Sequence, residues 1–165
     1  MWPRRILPVI LFLLFALSST ALAQTPTPKE VAREYYKTVV NERDFEQLPS
    51  FIHSHFKDQH ASRWVDETGR AGIQAELESL AEAFPDYRVT VQEVIVQGES
   101  VVVRLTFMGT HNGTFMDIAP TGSKVVMRGV EILRVREGQI TERFGNYDIN
   151  GLKDQLKADE ADPTS

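Results

Sequence analysis

Hydrophobic side chains recur at helical spacing through the first half of the chain. In residues 28–41 they stand about four positions apart, which places them on one face of a predicted helix. A short second helix is predicted after Asp44, and a third over residues 69–83, where Pro85 ends it. Residues 53–63 show no period, so they are predicted to form a loop with a short strand around Phe56.

The spacing changes to two at Asp86, and apolar and polar residues then alternate as far as Asp148. Tight turns are predicted at 98–99 and 137–138, and a longer turn at 119–122. A last amphipathic turn covers residues 152–156. The sequence therefore predicts an α+β domain in which three helices precede an antiparallel meander. The predicted strands are residues 87–96, 101–107, 125–136 and 140–148.

Four glycines interrupt the alternating half, where a flat sheet would favour β-branched residues. Glycines inside strands mark bulges, bends or a close approach of another segment. If these glycines align across neighbouring strands, the sheet bends sharply and wraps the helices into a cone with a cavity inside; otherwise each is an isolated bulge. We expect the curved sheet, because three consecutive strands carry the four residues Gly109, Gly113, Gly129 and Gly145.

The first 23 residues differ from the rest of the chain. Two arginines precede an apolar run, and Ala21-Leu22-Ala23 is a small-residue cleavage signature, as in a signal peptide. Pro8 interrupts the run, which is shorter than the ~20 residues of a membrane-spanning helix. We expect cleavage after Ala23 and export to the periplasm or the cell exterior, without membrane insertion afterwards. The predicted regions are a signal peptide (1–23), a linker (24–28), one domain (29–157) and an acidic tail (158–165).

Charge and composition exclude several classes of function. After cleavage the chain would carry 16 basic residues against 23 acidic ones, a formal net charge of −7. A chain this acidic, with no run of lysine or arginine, is not expected to bind nucleic acid or an anionic membrane. The absence of cysteine excludes disulfides, thiolate nucleophiles and thiolate metal sites.

Side chains able to move a proton are predicted to face the cavity from two strands. Counted from Ile140, alternation places Asp148 on the cavity side of the last strand, and His111 shares the cavity side of the second strand. A carboxylate and an imidazole in an apolar cavity suit proton abstraction next to a carbonyl group, because a neighbouring donor stabilises the enolate oxygen. The other residues expected around this cavity are Phe84, Phe107, Phe115, Phe144 and Asn146.

These residues also have simpler interpretations. Asp148 stands where it could cap the last helical turn, and His111 could be a core or turn histidine. His53, His55 and His60 are close in sequence, but the spacing fixes no carboxylate beside them, so no metal site is predicted. The chain lacks a glycine-rich phosphate loop, a Gly-x-Ser-x-Gly motif and a His-Glu-x-x-His motif, so no cofactor is expected.

Several short motifs together carry a family resemblance. They are Ala83-Phe84-Pro85-Asp86, the run 109–115, Pro120-Thr121-Gly122, the run 138–142 followed by Asp148, and the closing Leu152, Gln155 and Leu156. Their order and spacing over residues 29–156 resemble the SnoaL-like polyketide cyclases, also called ester cyclases. The resemblance implies the cone-shaped nuclear-transport-factor-2-like fold, in which N-terminal helices pack on a strongly curved antiparallel sheet. It also implies cofactor-free aldol ring closure with an aspartate as general acid and base.

Carried over by position, the aspartate of the family is Asp148, His111 is its pocket histidine, and His60 is the histidine after the second helix. We therefore expect an exported, cofactor-independent acid/base enzyme that cyclises or isomerises a small, largely apolar carbonyl compound. The alternative is a binding module that holds a small hydrophobic ligand without turnover; a desolvated Asp148 would favour the enzyme. The resemblance further implies a homodimer formed through an outer apolar patch of Val102, Val126, Val130 and Ile132.

Overall fold

Four helices pack on a five-stranded mixed sheet in the computed structural model, which describes residues 25–59 and 64–158. The strand order is β1-β5-β4-β3-β2. The predicted signal peptide and most of the acidic tail lie outside the described residues. The elements are α1 (Pro28–Glu34) with a continuing π-helical segment (Tyr35–Asn41), a 3-10 turn (Phe45–Gln47), α2 (Leu48–Phe51), β1 (Ile52–Asp58), α3 (Gly69–Ala83), β2 (Arg88–Gln97), β3 (Ser100–Thr110), β4 (Lys124–Arg136), β5 (Gln139–Tyr147) and α4 (Ile149–Ala158).

The first helix begins at a capping box. The Thr27 hydroxyl accepts a hydrogen bond from the Glu30 amide at 3.3 Å, and the Glu30 carboxylate accepts one from the Thr27 amide at 2.7 Å. Pro28 occupies the first turn, where its missing N–H leaves no intrahelical bond unmade. The apolar face then buries Tyr35 and Tyr36 against the sheet. The helix predicted over residues 28–41 is confirmed.

Sheet pairing confirms the predicted meander and adds one strand to it. Strands β2 to β5 pair antiparallel in chain order, as predicted. The short strand predicted around Phe56 is present and is longer than expected: β1 pairs parallel with β5, with Ile52 opposite Ile140 and Lys57 opposite Glu142. The sheet is therefore mixed, and the parallel strand is brought to β5 by the helices that precede it.

A bulge near the start of β5 changes which side chains face the helices. Arg134 pairs with Glu142 but Val135 pairs with Ile140, so Thr141 is one extra residue in β5. Its hydroxyl donates to the Arg134 carbonyl at 3.2 Å. After the bulge, Arg143 lies opposite the inward-facing Leu133. The odd-numbered residues of β5 therefore face inward from that point.

The glycines of the sheet do not form one straight crease. Gly109 lies opposite Val125, and Gly113 lies beyond the end of β3. Gly129 and Gly145 instead flank the inward-pointing Tyr147: a Cβ on Gly145 would lie 2.8 Å from Cε2 of that ring, and a Cβ on Gly129 would come closer still to its Cδ1. Both positions therefore require glycine because the aromatic ring passes directly over them.

The last helix closes the open edge of β4. Strand β5 ends at its pairing with Gly129, so the preceding part of β4 lacks a strand on that side. There the Gln155 amide takes the place of a strand: it accepts from the Val126 amide and donates to the Val126 carbonyl, both at 2.9 Å. Leu152 and Leu156 bury the same helix in the core. Within residues 25–59 and 64–158, no helix is both long and apolar enough to cross a membrane.

Candidate active site

A small cavity of about 50 Å³ lies between the sheet and the helices. Its walls are mainly aromatic and aliphatic, and three charged side chains reach it from α3, β4 and β5. They are Glu76, Glu131 and Arg143. The other lining residues are Tyr35, Tyr36, Val40, Trp64, Leu77, Leu80, Val89, Leu105, Phe107, Met127 and Tyr147.

Arg143 is the centre of the charged groups. Its Nη2 lies 2.5 Å from Glu76 Oε2 and 2.5 Å from Asp58 Oδ2, and its Nη1 lies 3.3 Å from Glu76 Oε1. The guanidinium and both carboxylates are more than nine-tenths buried. We call Asp58, Glu76, Glu131 and Arg143 the charged cluster; it joins β1, α3, β4 and β5.

Glu131 differs from the other two carboxylates of the charged cluster. Its Oε2 accepts a hydrogen bond from the Tyr36 hydroxyl, and its Oε1 accepts one from the Tyr147 hydroxyl. Nη1 of Arg143 lies 3.7 Å from Oε1 of Glu131. Glu131 is thus held by two neutral donors and by a cation that binds the other two carboxylates more closely.

Glu131 is buried near two further carboxylates and one guanidinium, and burial disfavours the charged form of a carboxyl group. Burial raises the pKa of Glu131, and the opposing effects of Arg143 and the tyrosine hydroxyls are smaller. Burial lowers the pKa of Arg143, but Glu76 and the other nearby anionic groups outweigh it and hold that pKa well above its ordinary value. Burial therefore favours the protonated form of Glu131.

The two tyrosines remain proton donors. Burial, followed by the negative charge of Glu131, raises the pKa of both Tyr36 and Tyr147 well above the ordinary phenol value. Both hydroxyls therefore stay protonated at neutral pH. The hydrogen bonds that they donate stabilise the ionised form of Glu131.

Three of the four predicted phenylalanines are buried, but only one of them lines the cavity. Phe107 lines it, while Phe84 and Phe115 are buried behind it. The Phe84 ring makes edge contacts at 5.3 Å with both Phe107 and Phe115. The prediction that Phe144 and Asn146 line the cavity is wrong: Phe144 is 45% exposed and Asn146 is exposed, because the bulge at Thr141 turns both to the outer face.

Asp148 lies on the surface as the N-cap of α4. Its Oδ1 accepts a hydrogen bond from the Gly151 amide at 2.9 Å, and the residue is exposed. It lines an open groove with Arg104, Arg128 and Asn146. Its catalytic role stays a prediction, and its position is that of a helix cap outside the central cavity.

His111 is completely buried beside Phe84, with ring centroids 5.3 Å apart. Burial lowers its pKa, which favours the neutral ring. Nδ1 accepts from the Thr121 amide at 3.2 Å, so the proton of the neutral ring lies on Nε2. His111 does not line the central cavity, and its predicted role is not tested by this position. His60 lies outside the described residues.

The histidine-rich segment shows two neighbouring rings. His53 and His55 have ring centroids 5.5 Å apart, and the His55 amide donates to Nδ1 of His53. In the described part of the chain, no three histidine, aspartate or glutamate side chains come together in the manner of a metal-ion site.

The sequence interpretation missed the charged cluster, although two of its members left a signal. Glu131 interrupts the apolar inward face of β4, between positions where Met127 and Leu133 are buried. Glu76 interrupts the apolar face of α3 in the same way, between Ile73 and Leu77. A glutamate on the apolar side of an amphipathic element is the pattern that identifies them. Arg143 could not be found by alternation, because the bulge reverses its face.

The α+β fold with a cavity between sheet and helices defines a class of proteins, and comparison with known families identifies that class. The SnoaL-like polyketide cyclase family matches residues 30–156. The chain belongs to this family, which confirms the resemblance and the α+β nuclear-transport-factor-2-like fold. No curated protein matches the chain.

Solved structures agree with this assignment. IdmH from Streptomyces antibioticus, described as a proposed polyketide cyclase, aligns with a TM-score of 0.71 and 27% identity over 80% of this chain and 99% of that chain. A proposed polyketide cyclase from Bacillus cereus aligns at 0.69 and 25% identity over 79% and 80% of the two chains. AclR from Streptomyces galilaeus, described as a proposed hydroxylase, aligns at 0.68 and 23% identity over 82% and 83%.

Proposed function

We propose that the protein is a cofactor-independent acid/base enzyme of the cyclase type, which moves a proton on a small carbonyl compound with Glu131 as the acid/base group. The observation that carries this proposal is the position of Glu131: it is buried, lines the cavity and lies between two tyrosine hydroxyls. A raised pKa places a carboxyl closer to the working pH of a general base.

The proposed reaction is an aldol-type ring closure. Ionised Glu131 takes a proton from the carbon next to a carbonyl group, which breaks the C–H bond and leaves an enolate. The enolate carbon then forms a C–C bond with a second carbonyl carbon of the same molecule, whose oxygen becomes an alkoxide. Glu131 returns the proton to that alkoxide, so the reaction consumes no oxidant or co-reactant.

The size of the cavity limits what enters it. Ligand pockets for drug-sized molecules measure about 300–1,000 Å³. A space of about 50 Å³ accepts only the reacting end of a substrate. We therefore expect substrates in which the acidic C–H and its carbonyl group form a compact, unhindered end.

The first test is hydrogen exchange at carbon. Acetone has acidic C–H groups in a compact, unhindered end next to its carbonyl group, and the loss of its methyl signal in D₂O is followed by proton NMR. We expect the wild-type protein to accelerate this loss and Glu131→Gln to reduce the protein-dependent rate by about 100- to 10,000-fold. A Glu131→Gln protein that exchanges as fast as wild type would remove Glu131 from the mechanism.

The second candidate function is binding without turnover. Most of the cavity wall is apolar or aromatic, which suits retention of a small hydrophobic molecule. Native mass spectrometry of the purified protein tests it: a retained ligand together with no carbon-acid exchange by the wild-type protein would favour the binding module.

Export is part of the proposal and rests on residues 1–23 of the sequence. We expect the exported protein to begin at Gln24. Intact mass of the protein recovered from the periplasm or medium measures this, and retention of Met1 would contradict the cleavage site.

A further inference from the structure

The wall between the cavity and solvent is formed by few side chains. Of the described residues that line the cavity, all are buried except three. The three are Trp64, Val89 and Tyr147, and each is half-buried. A residue that lines a cavity and is also in contact with solvent forms part of the wall between the two. These three side chains therefore decide what reaches Glu131 from outside.

Tyr147 and Val89 are fixed by hydrogen bonds. The Tyr147 hydroxyl donates to Oε1 of Glu131, and its ring passes over two glycines of the sheet. Val89 is held through its main chain: its amide donates to Asn41 Oδ1 at 2.8 Å, and its carbonyl accepts from Asn41 Nδ2 at 2.9 Å. Neither part of the wall can change without the loss of these bonds.

Trp64 is the largest of the three residues and is held differently. It lies between β1 and α3, outside the helices and strands. Its indole N–H has no acceptor among the described residues. Its ring packs edge-on against Phe115, with ring centroids 5.3 Å apart. Packing, and not a side-chain hydrogen bond, therefore places the indole at the cavity.

A row of aromatic rings supports the indole. Phe115 contacts Phe84, and Phe84 contacts Phe107, which also lines the cavity; both pairs have ring centroids 5.3 Å apart. These three phenylalanines are at most 2% exposed. Buried rings in edge contact have little room to shift, because protein interiors are closely packed. Trp64 therefore rests on a rigid part of the core.

The hairpin that carries Phe115 adds to this support. The Phe115 amide donates to the Ile118 carbonyl at 3.0 Å, and the Ile118 amide donates to the Phe115 carbonyl at 2.9 Å. Between them, Met116 and Asp117 have φ angles of 48° and 63°, in the left-handed region. Two central residues with positive φ form the tight turn that is typical of two-residue hairpins. This turn fixes Phe115, and with it the position of Trp64.

The size of the cavity indicates what the indole excludes. An apolar cavity of about 150 Å³ accepts benzene. The cavity of this protein measures about 50 Å³, so an aromatic ring can enter only if part of the wall is removed. Replacing the Trp64 indole with a methyl group would free more space than a phenyl ring occupies, without the loss of a hydrogen bond to Glu131.

We propose that Trp64 determines the size of the substrate and restricts the protein to aliphatic carbonyl compounds. This inference rests on the proposed function and narrows its substrate class. The reacting end of the substrate lies beside Glu131, and the indole excludes a ring that is attached directly to the carbonyl carbon. Trp64 takes no part in the proton transfer and acts by its bulk alone.

Two ketones that differ only in bulk test the inference. Acetone and acetophenone each present a methyl group next to a carbonyl group, and in acetophenone a phenyl ring replaces the second methyl group. Exchange of the methyl protons in D₂O gives kcat/KM for each ketone. We expect Trp64→Ala to raise the ratio of kcat/KM for acetophenone to that for acetone at least about 10-fold, since one methylene in a confined pocket already changes kcat/KM by about 10- to 200-fold.

Phe45→Ala is the matched control. Phe45 is another partly buried aromatic residue packed against the core, but it does not line the cavity. Its substitution should leave the ratio at the wild-type value. An unchanged ratio in Trp64→Ala, or an equal rise in Phe45→Ala, would overturn the inference.

A binding measurement separates this inference from the proposed function. Saturation-transfer NMR on Glu131→Gln, in which exchange is not expected, measures the binding of acetophenone through its phenyl protons. Adding Trp64→Ala should lower the Kd for acetophenone at least about 10-fold, and adding Phe45→Ala should not. An unchanged Kd would show that the indole does not limit size. If the wild-type protein does not exchange acetone, the proposed function fails, while the Kd values still decide the role of Trp64.

A second variant covers a failure to fold. Should Trp64→Ala not fold, Trp64→Leu replaces it in both experiments, because leucine keeps an apolar side chain that is smaller than the indole. The expected changes have the same direction, and wild-type values for Trp64→Leu would equally overturn the inference.

Discussion

The guanidinium of Arg143 and the carboxylate of Glu76 lie edge to edge, with Nη2–Oε2 at 2.5 Å and Nη1–Oε1 at 3.3 Å. The contact joins α3 to β5 across the interior. Because both groups are buried, neither has water to replace the other if one is removed.

Removing the guanidinium of Arg143 should therefore destabilise the folded protein. We expect Arg143→Met to lower the free energy of unfolding by about 3–5 kcal/mol, because the buried Glu76 carboxylate would lose the guanidinium that it pairs with. Urea unfolding measures this change. Glu76→Gln combined with Arg143→Met should be more stable than the sum of the two single changes predicts; strict additivity would show that the two groups are not coupled.

We expect Asp148→Asn to change neither the stability nor the exchange activity of the protein appreciably. Asparagine caps a helix about as well as aspartate, so the free energy of unfolding should change by less than about 1 kcal/mol. Carbon-acid exchange should also stay at the wild-type rate, since Asp148 lies outside the central cavity. The exchange rates of Asp148→Asn and Glu131→Gln, measured under the same conditions, decide which of the two carboxylates is the base. A stable Asp148→Asn protein whose exchange falls by about 100-fold would make Asp148 the base.

Stability should fall as the pH rises above the ordinary pKa of glutamate, about 4.3. Burial raises the pKa of Glu131 in the folded state, so the folded protein keeps a proton that the unfolded chain releases. This contribution of Glu131 to the free energy of unfolding is complete at a pH below the pKa of Glu131 in the unfolded chain. It is lost as the pH rises through the pKa of Glu131 in the folded protein. Urea unfolding from pH 4 upward measures it.

Glu131→Gln should flatten this part of the pH profile, because an amide does not ionise. Glu46→Gln, at an exposed position of the 3-10 turn, is the matched control and should follow the wild-type profile. The exchange activity of the wild-type protein should rise with pH through the same raised pKa. A pH profile of stability that is identical for wild type and Glu131→Gln would contradict the assignment of the proton.

Gly129→Ala should destabilise the protein by about 1–3 kcal/mol, because the new methyl group would overlap Cδ1 of Tyr147. Thermal and urea unfolding measure the loss. In a Tyr147→Ala background the same change should cost much less, since the ring is gone. An equal cost in both backgrounds would mean that the ring is not the cause.

The helices and the antiparallel strands could be predicted because each carries one regular period. Residues 28–41 and 69–83 repeat at helical spacing, and proline marks the start of one and the end of the other. Strand β1 was predicted only as a short strand within a loop, because it is an edge strand with two histidines and a lysine on its solvent side. Its short alternation is too weak to fix where the strand begins and ends.

The candidate site could be predicted only in part, and the reason is a single residue. Thr141 adds one position to β5, which moves Phe144 outward and Arg143 inward. Alternation counted along one strand contains no information about such a bulge, because the bulge is defined by pairing with β4. Phe107 lines the cavity from β3, which pairs with β4 without a shift, so alternation along β3 keeps its phase.

A second copy of the chain is expected on the outer face of the sheet. Ile95, Val102, Ile132 and Phe144 lie opposite one another in a row across four strands, and three of them are more than 40% exposed. Sedimentation velocity at micromolar concentration should show a dimer for wild type and a monomer for Ile132→Lys. Glu46→Lys is the surface control. A wild-type monomer would contradict this expectation.

The two hydrogen bonds between Gln155 and Val126 also bear on how the chain folds during synthesis. Residue 155 leaves the ribosome after the whole sheet, so the part of the β4 edge before Gly129 stays unpaired until α4 emerges. An unpaired strand edge is a template for pairing with another chain. The final helix therefore protects the nascent protein against aggregation, and a product terminated before α4 would be the form most exposed to chaperones and proteases.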